Sequence, residues 1–165
     1  MVSASSVRAS SYIEEIARAI TTAKPYFRVS PIGQSWDLRQ RNSFPREPGV
    51  YLILRKVAST GSGYRYRGLV PINPIVLYVG RTSERRSIDK RLADHFGNRE
   101  PNFQGSQFVK FLMQVIQDES VVKNILWSQQ TLIAAIPITE GEQMLDAVER
   151  LAMQVFVPRF NIRDR

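Results

Sequence analysis

Cysteine is absent from all 165 residues, so neither a disulfide framework nor a thiolate metal site is possible. Histidine occurs once, at His95, which excludes a metal site built from clustered imidazoles. A bound metal must therefore rest on carboxylate, water and substrate oxygens, a donor set suited to Mg²⁺ or Mn²⁺. No stretch approaches the roughly 20 consecutive apolar residues a membrane helix needs. The segment Met1 to Ser6 lacks the charged-then-apolar layout of a signal peptide. With cysteine missing as well, the cytoplasm is the expected location. Acidic residues are also scarce: 15 Asp and Glu stand against 23 Lys and Arg, for a formal net charge of +8.

That excess favours a polyanionic partner, because each phosphate contact by Lys or Arg releases condensed counterions. Solubility alone is the plainer use of such a charge. Arginine dominates the centre of the chain, with Arg39, Arg41, Arg46, Arg65, Arg67, Arg81, Arg85, Arg86 and Arg91 in one stretch. A guanidinium fork matches phosphate and guanine edges in two-pronged fashion, which an ammonium cannot do. Length and an apolar fraction of 43% suit one globular unit able to bury its own core.

Ser10-Ser11 read as the cap of a helix running to about Ala23, with Glu14 and Glu15 in its first turn and Pro25 as a stop. Ile13, Ile16, Ala17 and Ile20 share a face, so this helix is expected to pack on the body. Residues 25 to 48 hold four prolines and form a basic arm, pinned by Trp36 and Phe44. The organisation expected is a helix and arm over 1–47 followed by the main domain over 48–165.

Val50 to Leu54 and Ile75 to Val79 are rich in β-formers and bounded by Pro and Gly, so both read as strands. The connection between them, about residues 57 to 74, is too long for a tight turn and alternates Tyr and Arg. Ile88, Leu92 and Phe96 mark a helix over 88–96. Phe108 to Gln117 reads as a helix buried on most faces, and Thr131 to Ile138 as a strand whose Pro137 suggests an edge or an end. Glu140 to Phe156 is an amphipathic helix.

Several side chains stand out against this frame. Glu149 borders the apolar stripe of the last helix, where a carboxylate costs free energy unless a metal or a cation compensates it. A boundary glutamate reaching water, or pairing with Arg150 or Arg159, is the plainer explanation. Arg91 and His95, spaced i, i+4, project from one helix face and could hold a phosphate and assist proton transfer. Lys90 and Asp94 beside them fit a solvated face equally well. Tyr51 and Tyr78 each suit a strand core, yet on antiparallel neighbours the two phenols would stand close together, and Gly80 would let the chain turn towards Arg91. Asn161, after Pro158-Arg159-Phe160, could cap a tail.

Taken in order, Gly49-Val50-Tyr51, Tyr78-Val79-Gly80, Arg91 with His95, Glu149 and Asn161 resemble the GIY-YIG nuclease superfamily over about residues 48 to 162. The segment from Ala147-Val148-Glu149-Arg150-Leu151 to Asn161 is similar to its C-terminal signature. Histidine at the helical position and the long insertion are most similar to the restriction-endonuclease branch. Arg81 departs from the pattern, standing where many members carry lysine.

The resemblance implies an α/β fold: a small three-stranded, mainly antiparallel sheet flanked by helices, here with an extra N-terminal helix. It implies a DNA endonuclease using one divalent ion, Mg²⁺ or Mn²⁺, held by Glu149. Arg91 would neutralise the scissile phosphate and Tyr51 would take the proton of the attacking water, helped by His95. Tyr78 would orient water or phosphate, and Asn161 would support the site. A phenol is a poor base near neutrality, so a cation must favour its ionised form, and Arg81 or the metal is the candidate. The expected partner is double-stranded DNA, cut by a homodimer if both strands are cleaved. Alternatives within reach of the sequence are a non-specific toxin or defence DNase and an inactive DNA-binding module.

Overall fold

The computed structural model describes residues 3–27, 41–56, 74–97 and 100–161. The connection at 57–73, most of the basic arm at 28–40 including Trp36, and residues 98–99 lie outside the described residues.

The continuous apolar run at Gly49–Arg55 forms strand β1, with every residue from Gly49 to Leu54 buried. Such two-sided burial needs a neighbour on each edge and a cover on each face. The edges are supplied by β2, Ile75–Arg81, and β3, Thr131–Pro137, in the order β2-β1-β3 with both pairings antiparallel. Pro137, which cannot donate to a ladder, is the last residue of an edge strand.

Helices cover the two faces. On one face lie α2, Ile88–Phe96; α3, Gln107–Ile116; and α4, Glu119–Leu126. Their Leu92, Phe96, Phe108, Leu112 and Leu126 join Tyr51 and Ile53 of the sheet, with Tyr26, Phe27 and Phe44 alongside. Trp127 closes this layer, its indole N–H donating to the Phe96 carbonyl at 2.9 Å. On the other face lie α1, Ala4–Thr21, and α5, Glu142–Phe156. Ile16, Leu145, Val148 and Ala152 pack there on Val50, Leu52 and Ile136.

Several boundaries differ from the sequence reading. Helix α1 starts seven residues early: Ser3, rather than Ser10 or Ser11, accepts from the Ser6 N–H at 3.2 Å. The cause is the buried face Ala9, Tyr12 and Ile16, which draws the first two turns into the helix. Lys24 is not a helix terminus but an extra bridge on β3, exchanging backbone hydrogen bonds with Ile133 at 3.3 and 2.9 Å. Helix α3 is buried on one face only, and its Val115 is 59% exposed. Helix α4 falls where no element was read, capped by the Asp118 carboxylate accepting from Val121 N–H at 3.2 Å. Helix α5 begins at Glu142, while Glu140 accepts from the Tyr12 hydroxyl and from Arg8 Nε at 3.0 Å.

Register is what brings the two tyrosine tripeptides together. Tyr51 lies opposite Gly80 and Ile53 opposite Tyr78, so the tyrosines are diagonal neighbours with ring centroids 6.3 Å apart. A Cβ at Gly80 would strike the Tyr51 ring and hydroxyl and stand 2.7 Å from the Tyr78 ring. Gly80 is therefore a vacancy that the Tyr51 ring fills, and β2 continues through it to Arg81 instead of turning there. Between Ile53 and Leu54 the register slips: Leu54 pairs with Val76, leaving Leu77 as the extra residue of a bulge. Leu77 and Tyr78 consequently both join the α2 face of the core, while Val79 joins the α5 face.

Candidate active site

Strand β2 is an edge, and the residues after α5 run along it. Val76 O accepts from Arg159 N–H at 3.1 Å and Leu77 O from Phe160 N–H at 2.8 Å. Asn161 then pairs with Val79 both ways: its Oδ1 accepts from the Val79 N–H at 2.7 Å and its Nδ2 donates to the Val79 carbonyl at 2.6 Å. Asn161 thus satisfies both backbone groups of Val79, which an edge strand would otherwise leave to solvent.

An open cleft of about 460 Å³ borders this edge. Tyr78, Arg81, Arg91, Glu149 and Asn161 line it, with Thr82, Ser83, Arg86, Gln107 and Phe160. Five of the seven residues singled out from the sequence therefore meet in one hollow, carried by β2, α2, α5 and the segment after α5. The remaining two, Tyr51 and His95, are not on its wall. Both have no exposed surface.

His95 sits on α2 among aromatic rings, with Tyr51, Tyr78 and Phe108 centroids at 5.6, 5.5 and 6.0 Å. Its Nε2 lies 2.5 Å from the Tyr51 hydroxyl and its Nδ1 lies 2.6 Å from Ser106 Oγ. Burial, with the charges of Arg91 and Arg86 adding to it, pushes the imidazole pKa down to about 3. The ring is neutral at physiological pH. This is the reverse of a solvated helix face.

Tyr51 is pushed well above its ordinary value, chiefly by burial and further by Tyr78, while Arg91 pulls in the opposite direction. The cation that favours its ionised form is thus Arg91. Arg81, expected from the sequence to serve, points away from the phenol. The Arg81 position pairs with Val50, whose side chain belongs to the α5 face, and its guanidinium faces the acidic side of α5. There it meets Glu142 at 2.7 Å, Glu149 at 3.3 Å and Asp146 at 3.9 Å. Burial works against the Arg81 charge, but these three carboxylates outweigh it and hold the guanidinium above its ordinary value.

Glu149 is 6% exposed, and the ion pair that compensates it is with Arg81 Nε, not with Arg150 or Arg159. Arg150 instead pairs with Asp146 at 2.9 Å. Arg91 keeps its guanidinium 3.7 Å from Asp94, which Arg86 also holds at 2.5 Å.

Two contributors were not singled out beforehand. Ser106 is buried, caps α3 by accepting from Val109 N–H at 3.2 Å, and contacts His95. Glu142 accepts from Arg81 and also from the Glu84 N–H at 2.7 Å, and so ties the loop after β2 to the start of α5. The spacing of Glu142, Asp146 and Glu149, i, i+4 and i+7, placed all three on one helix face and was the available signal.

A metal at this cleft would find one hard carboxylate, that of Glu149. Among the described residues no group of three or more His, Cys, Asp or Glu is arranged to hold an ion. A single carboxylate suits a cation that keeps several waters and takes substrate oxygens, as Mg²⁺ does. Glu149 is already paired with the Arg81 guanidinium at 3.3 Å, so an ion held there would share the carboxylate with that cation.

No family model, no curated protein and no solved structure matches the chain. Among the described residues no helix is long and apolar enough to cross a membrane.

Proposed function

We propose that the protein is a divalent-metal-dependent endonuclease of the GIY-YIG kind, hydrolysing phosphodiester bonds of double-stranded DNA in the cytoplasm. The observation that carries this reading is the cleft itself. Tyr78, Arg81, Arg91, Glu149 and Asn161 come from four separate segments and face one space, with Tyr51 and His95 directly behind it. The net charge of +8 suits the polyanion.

In this reading Arg91 lies against the scissile phosphate and neutralises charge as the transition state forms. The water oxygen bonds to phosphorus as its proton passes to the Tyr51 phenolate, and the bond from phosphorus to the leaving oxygen breaks, that oxygen taking a proton from solvent. A bound Mg²⁺ or Mn²⁺, held by Glu149, would supply positive charge to the phosphate and the leaving oxygen. Tyr78 orients the phosphate at the cleft wall. Asn161 keeps the β2 edge in register, and Arg81 holds Glu149 in place from the side away from the phenols. Because burial raises the Tyr51 pKa, the proton transfer depends on Arg91 stabilising the phenolate.

A type II restriction enzyme is the role favoured, since His95 at the helical position and the long 57–74 connection are most similar to that branch, and sequence would be read from 25–48, 57–74 and 97–107. Two copies related by a twofold axis would then cut the two strands. The test is incubation of supercoiled plasmid with the protein in Mg²⁺ or in EDTA. Nicking or linearisation in Mg²⁺ alone supports the reading, and intact plasmid in both leaves only a DNA-binding module. Sequencing the ends separates a restriction enzyme, with one motif, from a toxin or defence DNase, with scattered ends.

A further inference from the structure

The Tyr51–His95–Ser106 chain contains an ordering that the nuclease reading does not use. A neutral imidazole carries one N–H, so one of its nitrogens donates and the other accepts. The two hydroxyls at 2.5 and 2.6 Å must therefore play opposite roles. If Nδ1 carried the proton, Ser106 Oγ would accept both that proton and the Val109 N–H at 3.2 Å. The serine's own proton would then face neither partner, in a residue that is 1% exposed. A buried hydroxyl proton aimed at no acceptor is costly. If Ser106 donates to Nδ1 instead, its oxygen still caps α3 and its proton is placed. The ring proton must then sit on Nε2, pointing at the Tyr51 oxygen.

That choice matters at the other end of the chain. With Nε2–H donating, the Tyr51 oxygen is an acceptor beside the positive charge of Arg91. Its own proton is then the one without an acceptor, at a comparable cost of burial, and that cost is relieved only when Tyr51 ionises beside Arg91, the state the nuclease reading requires. With the opposite tautomer the phenol would donate to Nε2 and be held in its protonated form.

We infer that Ser106 is a positioning residue: by donating to His95 Nδ1 it fixes the Nε2–H tautomer and makes the Tyr51 oxygen an acceptor. The inference deepens the nuclease reading, since it rests on Tyr51 as the proton acceptor there, but its first test reads no cleavage.

His95 is the only histidine in the chain, so nitrogen NMR of the full-length protein labelled at histidine reports this one ring without assignment. The expected wild-type spectrum at neutral pH has a protonated, pyrrole-type Nε2 and a pyridine-type Nδ1. A protonated Nδ1 with a bare Nε2, or a doubly protonated ring, overturns the inference. Ser106→Ala should move the ring proton towards Nδ1. It should also lower kcat for plasmid cleavage roughly ten- to a hundredfold with KM little changed, the scale at which orienting partners of a histidine act. Ser106→Thr retains both the hydroxyl and the helix cap and should restore the wild-type ring signals and rate. Wild-type ring signals in a folded Ser106→Ala protein overturn the assignment, and if that variant does not fold the wild-type spectrum decides alone. An Nε2–H ring in a protein that leaves plasmid intact removes the nuclease reading and keeps the tautomer. A protonated Nδ1 in an active nuclease does the reverse.

Discussion

On the α2–α3 side of the β2 edge the polar groups are dry and neutral, whereas on the α5 side they are charged and partly open. His95 and Tyr51 have no exposed surface and are enclosed by aromatic rings. Arg81, Asp146 and Glu142 keep 24%, 32% and 44% of their side chains exposed. Each side solves the cost of a buried polar group differently. Within the rings the two nitrogens of a neutral imidazole meet hydroxyls, because an uncompensated charge would cost several kcal/mol there. Beside solvent, one guanidinium is shared among three carboxylates. In the proposed reading, the cleft obtains both a proton acceptor and a cation-binding carboxylate by straddling a single strand. Arg91 and Tyr78 reach it from the dry side and Glu149 from the charged one.

Removing the Arg91 charge, which reaches the cleft from the dry side, tests this division most severely. Arg91→Ala should slow plasmid cleavage by roughly 10²–10³-fold, the scale found for loss of a single transition-state donor. Melting should stay near wild type, because its ion pair with Asp94 is long and partly exposed. Retained cleavage would move phosphate binding to Arg81 and the α5 side.

A smaller disturbance fills the vacancy on which the dry side is built. Gly80→Ala places a methyl group against the Tyr51 ring and hydroxyl, so urea denaturation should show a loss of about 1–3 kcal/mol from overpacking. The Tyr51–His95 contact should be displaced with it. A neutral effect would mean that the close approach of strand and ring is not essential.

The neutral histidine predicts a specific acid sensitivity. Its folded pKa, about 3, lies below the ordinary value of 6.5, so the native state resists protonation while the unfolded chain accepts it. The stabilising contribution is therefore complete above pH 6.5 and is lost as pH falls from 6.5 towards 3. At pH 5.5 that loss should reach about 1–2 kcal/mol relative to high pH. His95→Gln, which has no titrating ring, should lack this part of the decline when both are unfolded in urea across the range. Equal declines would place a charged imidazole inside the core.

Much of the fold was legible because local signals agreed. Ile88, Leu92 and Phe96 in phase marked α2 with the bounds it has. The runs at Val50 to Leu54 and Ile75 to Val79 marked two strands, each extended in the fold by one or two residues per end where it grew. The meeting of Glu149, Arg91 and Tyr78 followed from residue types in a known order. What was not legible depended on pairing across distance. The one-residue slip at Leu77 belongs to the β1–β2 register, and no local propensity encodes it. Ser106 could be read as a helix cap, but its second contact exists only because α3 packs against α2. The destination of Arg81 likewise depended on the rotational phase of α5, which set Glu142, Asp146 and Glu149 facing it. Helix α4, at eight residues, was too short for its period to stand out.

The central claim is that Glu149 serves the chemistry of the cleft and not merely its ion pair with Arg81. Glu149→Gln keeps the shape and removes the charge, so the direct measurement is its plasmid cleavage in Mg²⁺ beside its DNA binding in EDTA. The account predicts binding close to wild type and cleavage lower by 10²-fold or more, on the order of a missing electrostatic partner in a transition state. Wild-type cleavage by a clean preparation of this variant would contradict it.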